Sequence, residues 1–287
     1  MRVFLTGATG FIGSHLLKLF LQRSHSVVAL RRNANSKPKI KMKHSPQWIT
    51  KDLQNVCVED FCDSQIVVHL AAHTANVPYD KLLTCLDQNL IAPLKLFENA
   101  RSAGINKFLV AGTCFEYGLA ANQYEKIPPT SSLVPTNTYS ASKAAASIAF
   151  TQWALENKLS MSIVRLFQIY GEGESETRLW PSLLRAAEQG LDFPMTRGEQ
   201  LRDFMNVHDA AFLLEQECES LLNSQYPHVK HSNIGSGEPQ TIAEFSTNVW
   251  QSLDPKGSLK QGAIPYRAGE VMRYLPLIES VIYRGDS

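Results

Sequence analysis

The chain has no apolar run of the ~18 residues that a membrane-spanning helix needs, which excludes such a span. It has no excess of one charge: 28 Lys+Arg stand against 27 Asp+Glu, for a formal net charge of +1. That balance excludes a nucleic-acid groove or a membrane-surface patch built from general basicity. Cysteine is sparse and unpaired in pattern. Cys57, Cys62, Cys85, Cys114 and Cys218 are odd in number, with no CxxC and no Cys/His set at zinc spacing. A disulfide framework and a structural zinc site are thereby excluded, and a reduced, cytoplasmic setting is the simplest expectation. No secretory leader is read at the start, where Met1-Arg2 runs at once into Val3-Phe4-Leu5-Thr6-Gly7. Repeats and low-complexity tracts are also missing.

What is present is a rhythm. Apolar, β-branched runs at 2–6, 26–30, 47–50, 66–71, 107–111 and 162–166 alternate with helical periods at 11–22 and about 79–103. Continuous apolar strands separated by helices predict an α/β fold, a doubly wound parallel sheet of the Rossmann kind covered on both faces. Hydrophobic residues at 44% supply the core. After Phe167 the elements shorten, with Gly, Pro and Arg between them. We expect a cofactor-binding domain over 1–167, with a helix in 207–225 returning to it. A smaller substrate lobe is expected over 168–206 and 226–287.

Two patterns carry chemistry. Thr6-Gly7-Ala8-Thr9-Gly10-Phe11-Ile12-Gly13 joins the first strand to the first helix. A pyrophosphate needs one glycine for the turn, one for close backbone approach and one for helix–strand packing. The alternative is a tight turn without a ligand. After the second strand stands Arg31-Arg32-Asn33, where an NAD site usually has a carboxylate for the ribose 2′-OH. A guanidinium can hold a 2′-phosphate bidentately, so NADP (NADPH) is the expected cofactor. The alternative is two solvated loop charges. Asp52-Leu53, after the third strand, suits an adenine contact or a helix cap. The second pattern is Tyr139-Ser140-Ala141-Ser142-Lys143, with Tyr and Lys four apart on one helix face. An ammonium there is expected to lower the tyrosine pKa towards neutrality. Thr113, at the carboxyl end of the fifth strand, puts a hydroxyl at the ligand crevice. His69 and His73 lack a third ligand for a metal, and Cys114 lacks a base that would make it a nucleophile.

With these residues, and with VVHLAAHT at 67–74, GTCFEYG at 112–118, VRLFQIYGEG at 164–173, GEQLRDFMNVHDAA at 198–211 and SNIGSGEPQTIAEF at 232–245, the chain resembles the extended short-chain dehydrogenase/reductase superfamily. The likeness implies a catalytic triad of Thr113, Tyr139 and Lys143, with Lys143 also on the nicotinamide ribose. It implies cofactor contacts from Gly7, Thr9, Gly10, Phe11, Ile12, Gly13, Arg31, Arg32, Asp52, Leu53, Leu70, Ala71, Ala72 and Asn89. It implies substrate contacts from Thr113, Cys114, Phe115, Gln168, Arg202 and Arg267, the two arginines on a nucleotide diphosphate. Either arginine could instead belong to a surface ion pair. A homodimer through the helices around Asn89 and after Lys143 is implied as well.

Dehydratases of the superfamily carry Thr-Asp-Glu where this chain has Thr113-Cys114-Phe115, so the acid pair for eliminating water is missing. The later segments look most like reductases of 4-keto-deoxyhexose nucleotides, such as the CDP-abequose synthases of O-antigen pathways. The expected reaction is NADPH-dependent reduction of a CDP- or dTDP-linked 4-keto sugar. A nucleotide-sugar 4-epimerase with tightly held NAD and a non-catalytic NADP-binding protein are the alternatives. Two departures stand out: Gln168 replaces a common asparagine, and Arg273 to Ser287 is shorter than the strand, helix and Gly-Trp-x-Pro run usual at that point.

Overall fold

The computed structural model describes residues 1–267 and 269–284. Its strands are β1 (Arg2–Thr6), β2 (Ser26–Arg31), β3 (Gln47–Thr50), β4 (Ile66–His69), β5 (Lys107–Thr113), β6 (Ser160–Leu166), β7 (Gln168–Tyr170), β8 (Phe193–Met195), β9 (Leu201–Asn206), β10 (Val229–Ile234), β11 (Pro239–Thr241), β12 (Leu259–Gln261), β13 (Arg273–Tyr274) and β14 (Ser280–Tyr283). The helices are α1 (Phe11–Gln22), α2 (Leu82–Leu86), α3 (Ala92–Ser102), α4 (Thr138–Glu156), α5 (Leu179–Glu188), α6 (Val207–Asn223) and α7 (Ile242–Ser252).

The central sheet runs β14-β10-β6-β5-β4-β1-β2-β3 and is parallel except for β14, which is antiparallel to β10. Its inner order is the doubly wound one, with the direction of winding reversing between β1 and β4. Both faces are covered, which is why the strands read as apolar runs rather than alternating ones. In β1, Val3 and Leu5 join Leu16, Leu17 and Phe20 of α1 and Leu214 and Leu221 of α6. Phe4 points the other way, to Leu96 and Phe97 of α3 and Phe150 and Trp153 of α4. Phe150 and Trp153 are therefore core residues, and the Trp153 indole N–H donates to Glu98 Oε1 at 2.6 Å.

The structure differs from the sequence expectation in two places. The long helical region begins at Leu82, and a π-helical turn (Asp87–Ile91) interrupts it. The 226–287 segment is not confined to the lobe, because its β10 and β14 lie in the central sheet. The polar run His231-Ser232-Asn233 disguised β10. Two of these buried polar groups are partnered: His231 meets Thr151 Oγ1 at 2.7 Å, and Asn233 accepts from the Tyr117 hydroxyl at 2.6 Å. The remaining strands form small sheets, β11-β9-β13 with β7 also pairing β9, and β12-β8, beside α5 and α7. No helix among the described residues is long and apolar enough to cross a membrane.

Candidate active site

A crevice of about 500 Å³ opens at the switch point of the sheet, beyond the carboxyl ends of β1 and β4. Gly7 has φ +76°, and a Cβ there would lie 2.6 Å from the Ala71 nitrogen, so the loop after β1 can pass the loop after β4 only as glycine. A Cβ on Gly13 would collide with the Gly7 carbonyl. Gly10 N–H donates to Gly7 O at 2.8 Å and leads into α1, whose first amides are the groups that favour an anion. Thr9, Gly10, Phe11, Ile12 and Gly13 line this floor, with Leu70, Ala71 and Ala72 across from them.

Arg31, Arg32, Asp52 and Leu53 line the far end. The Arg31 guanidinium lies 4.9 Å over the Trp48 ring, and its Nε donates to Thr50 Oγ1 at 3.1 Å. Asp52 precedes a short 3-10 turn without a side-chain cap bond to it. Lys51 also borders the crevice, but its ammonium is engaged by Asp60 at 2.6 Å.

At the other end, α4 presents Tyr139 and Lys143, with Asn137 capping the helix by accepting from Ser140 N–H at 2.9 Å. Thr113, Cys114, Phe115, Tyr139, Lys143 and Gln168 all border the crevice. Thr113 Oγ1 accepts from Phe115 N–H at 3.3 Å, and its own O–H remains a donor. Lys143 Nζ donates to Ala111 O at 2.8 Å. The expected lowering of the Tyr139 pKa is reversed here. Burial, followed by the nearby Glu116 and Cys114, pushes the phenol above its usual value. Burial likewise lowers the Lys143 ammonium. Tyr139 therefore holds its proton at neutral pH. Cys114 is buried, and its thiol is pushed up to about 12, so it is no thiolate nucleophile.

The sequence from residue 3 to 235 matches the NAD dependent epimerase/dehydratase family. The chain belongs to that family. It is thus an enzyme of the NAD(P)-dependent extended short-chain dehydrogenase/reductase type. It is 26% identical over 281 residues to the CDP-abequose synthase of Salmonella typhimurium, covering 94% of this chain and 87% of that one. It is 25% identical over 264 residues to the UDP-glucose 4-epimerase of Corynebacterium glutamicum, covering 85% and 78%. Among solved structures, the UDP-N-acetylglucosamine 4-epimerase of Methanobrevibacter ruminantium, in complex with UDP-N-acetylmuramic acid, superposes with a TM-score of 0.84 at 24% identity, over 96% of this chain and 89% of that one. The Thermus thermophilus UDP-glucose 4-epimerase, in complex with NAD, gives 0.78 at 25%, over 97% and 91%.

Asn89, Arg202 and Arg267, expected on ligands, are not among the residues lining the crevice. Asn89 is buried in the π-helical turn, away from the crevice lining. Its Oδ1 accepts from His73 N–H at 2.7 Å and its Nδ2 donates to Ser142 Oγ at 2.9 Å, so it braces the loop after β4 against the residue preceding Lys143. Arg202 is buried under the lobe, where it pairs with Glu270 at 2.9 Å. Arg267 is exposed, and neither arginine borders the crevice.

Glu116 is no substitute acid. It is fully buried, accepting from Thr113 N–H at 2.8 Å, Ser147 Oγ at 2.8 Å and Arg165 Nε at 2.7 Å. Sequence reasoning missed Glu174 and Arg178, which line the crevice beside Gln168. The motif at 164–173 ends one residue short of Glu174, and the positive φ of Gly171 and Gly173 turns the chain back towards the site.

Proposed function

We propose that this chain reduces the 4-keto group of a nucleotide-linked deoxyhexose with NADPH. The observation that carries this reading is the composition of the triad pocket. Thr113, Tyr139 and Lys143 border one crevice, and Cys114 and Phe115 occupy the positions where elimination of water would need acids. The likeness to CDP-abequose synthase along 94% of the chain supports it.

The crevice fits a nicotinamide dinucleotide, since the Gly7 to Gly13 loop borders it and leads straight into the N-terminus of α1, whose first amides favour a pyrophosphate. Gly7 to Gly13 would hold the diphosphate, Arg31 and Arg32 the 2′-phosphate, Asp52 and Leu53 the adenine, and Lys143 the nicotinamide ribose. Bound there, NADPH supplies a hydride. Tyr139 gives its phenolic proton to the oxygen of the sugar carbonyl. The O–H of Thr113 donates to the same oxygen and orients it, stabilising the charge that develops there. Lys143 then favours the phenolate left behind.

CDP or dTDP is the expected nucleotide and O-antigen sugar synthesis the expected setting, by the same likeness. A homodimer is proposed through α2, the π-helical turn and α4, which expose Leu82, Leu83, Ile91 and Ile148, Leu83 at 81% and Ile148 at 62%. The test is loss of NADPH absorbance with CDP- and dTDP-linked 4-keto-6-deoxyhexoses. Steady consumption supports the reductase. Interconversion of 4-hydroxy epimers without net consumption of NADPH supports the second reading, a 4-epimerase, which the Corynebacterium and Thermus relatives favour. Cofactor binding without either turnover would mean a non-catalytic protein.

A further inference from the structure

One carboxylate oxygen of Glu174 is left without a donor among the described residues. Its side chain is 7% exposed and borders the crevice. Oε1 accepts from Arg178 Nε at 3.3 Å, and Arg178 in turn donates through Nη2 to Gln168 Oε1 at 3.3 Å. Oε2 has no hydrogen-bond partner among the described residues. Leaving a carboxylate oxygen in that state is costly unless a ligand completes it. The residue is also held in place. Glu174 N–H donates to Gly171 O at 3.1 Å, and the preceding Glu172 carbonyl meets His15 Nε2 at 2.8 Å. A Cβ on Gly173 would lie 2.7 Å from Lys39 Cβ, so the turn is wedged between α1 and the segment after β2.

We propose that Glu174 is a specificity-determining residue of the substrate site, its free Oε2 accepting a hydrogen bond from a ring hydroxyl of the hexose. The inference rests on the nucleotide-sugar reading above. A carboxylate oxygen wants a donor, and a phosphate or a keto oxygen offers none. Glu174 and Gln168 follow β6, whereas Arg31 and Arg32 stand at the end of β2, and binding of NADPH measured apart from the hexose nucleotide tells a donor on the cofactor from one on the sugar.

The test is binding of NADPH and, to the NADP-loaded protein, of CDP-, dTDP- and UDP-glucose with their 2-deoxy and 3-deoxy analogues, to the unaltered protein, Glu174→Gln and Glu174→Ala. Glu174→Ala should weaken the hexose nucleotide by roughly 10–100-fold, and the near-isosteric Glu174→Gln by less, with NADPH affinity unchanged. One deoxy analogue should bind the unaltered protein and both variants alike, because the missing hydroxyl has already removed the bond. Equal losses for the hexose nucleotide and both analogues would reduce Glu174 to a support for Arg178 and overturn the proposal. Weakened NADPH binding would move the donor to the nicotinamide half of the cofactor and overturn it too. If no hexose nucleotide binds the unaltered protein, the nucleotide-sugar reading falls first, and this inference with it.

Discussion

Two glutamate–arginine pairs flank the triad, and they differ in how completely they are satisfied. Glu116 and Arg165 lie under β5 and β6, their side chains 0% and 2% exposed. Every polar atom of Glu116 has a partner, and Arg165 also donates to the Pro129 carbonyl at 3.1 Å and the Tyr117 hydroxyl at 3.2 Å. Glu174 and Arg178 stand on the crevice wall, with one carboxylate oxygen unused. A closed network fixes the backbone at Thr113 and has nothing left to offer a ligand. An open one has a bond in reserve. Satisfaction, rather than burial or charge, separates scaffold from site here.

Between the pairs stands Tyr139, and the largest effect is expected there. Tyr139→Phe should keep cofactor and sugar-nucleotide binding and lose about 10²–10⁴-fold in kcat, the usual cost of removing a general acid. Near-normal turnover with NADPH would show that the proton comes from elsewhere. Next is the closed pair itself. Glu116→Gln leaves the Arg165 charge buried without a counter-ion, at a cost of about 3–5 kcal/mol of stability. Urea unfolding should register that loss in full, while the preference among hexose nucleotides stays put. A Glu116 variant that changed substrate preference without losing stability would erase the distinction between the two pairs.

The same contrast explains what the sequence made legible. The strands, the glycine loop and the Tyr-x-x-x-Lys spacing follow from local rules, because apolar runs and fixed offsets repeat wherever those elements form. Thr113, Tyr139, Lys143 and the loop residues accordingly meet in one crevice. Arg202 illustrates the limit. Its partner Glu270, 2.9 Å away but distant in sequence, cannot be read from local pattern. Glu174 was missed for the opposite reason: nothing local marks an acid as lacking a partner. The Tyr139 pKa is also a tertiary property, since burial, with Glu116 and Cys114 nearby, raises it.

Acid should act on the closed side of the molecule. Burial, with Arg165 nearby, lowers His231 to about 3, and burial, with Lys143 nearby, lowers His69 to about 3. Both have folded values below the unfolded ~6.5, so the unfolded chain binds more protons under that pH. Their contribution to stability is complete above about pH 6.5 and falls as pH drops towards 3. Each histidine should cost about 1.4 kcal/mol per pH unit in that window. Urea midpoints at descending pH should show a shallower fall for His231→Gln, which keeps a partner for Thr151. A slope indifferent to that change would assign the acid loss to carboxylates instead.

The smallest effect concerns the far end of the crevice, where the site is open on the side of the cofactor rather than the substrate. Arg31 is pre-positioned by its stacking on Trp48 and its bond to Thr50, whereas Arg32 is exposed at the rim. Lys51 is already engaged by Asp60, so these two arginines are the cations lining that end of the crevice that a 2′-phosphate would meet. Charge-assisted bonds of that kind are worth roughly 1.5–3 kcal/mol, and exposure reduces the net. NADPH should therefore be preferred over NADH by at least about tenfold in kcat/KM, or ~1.4 kcal/mol. Arg31→Asp with Arg32→Ser should narrow or reverse the preference and leave kcat with the better cofactor largely unchanged. Because Arg31 is the ordered member, Arg31→Ser alone should remove more of the preference than Arg32→Ser alone. Equal use of both cofactors by the unaltered chain would return the arginines to solvated loop charges and leave the Trp48 stack as a packing contact of the sheet edge.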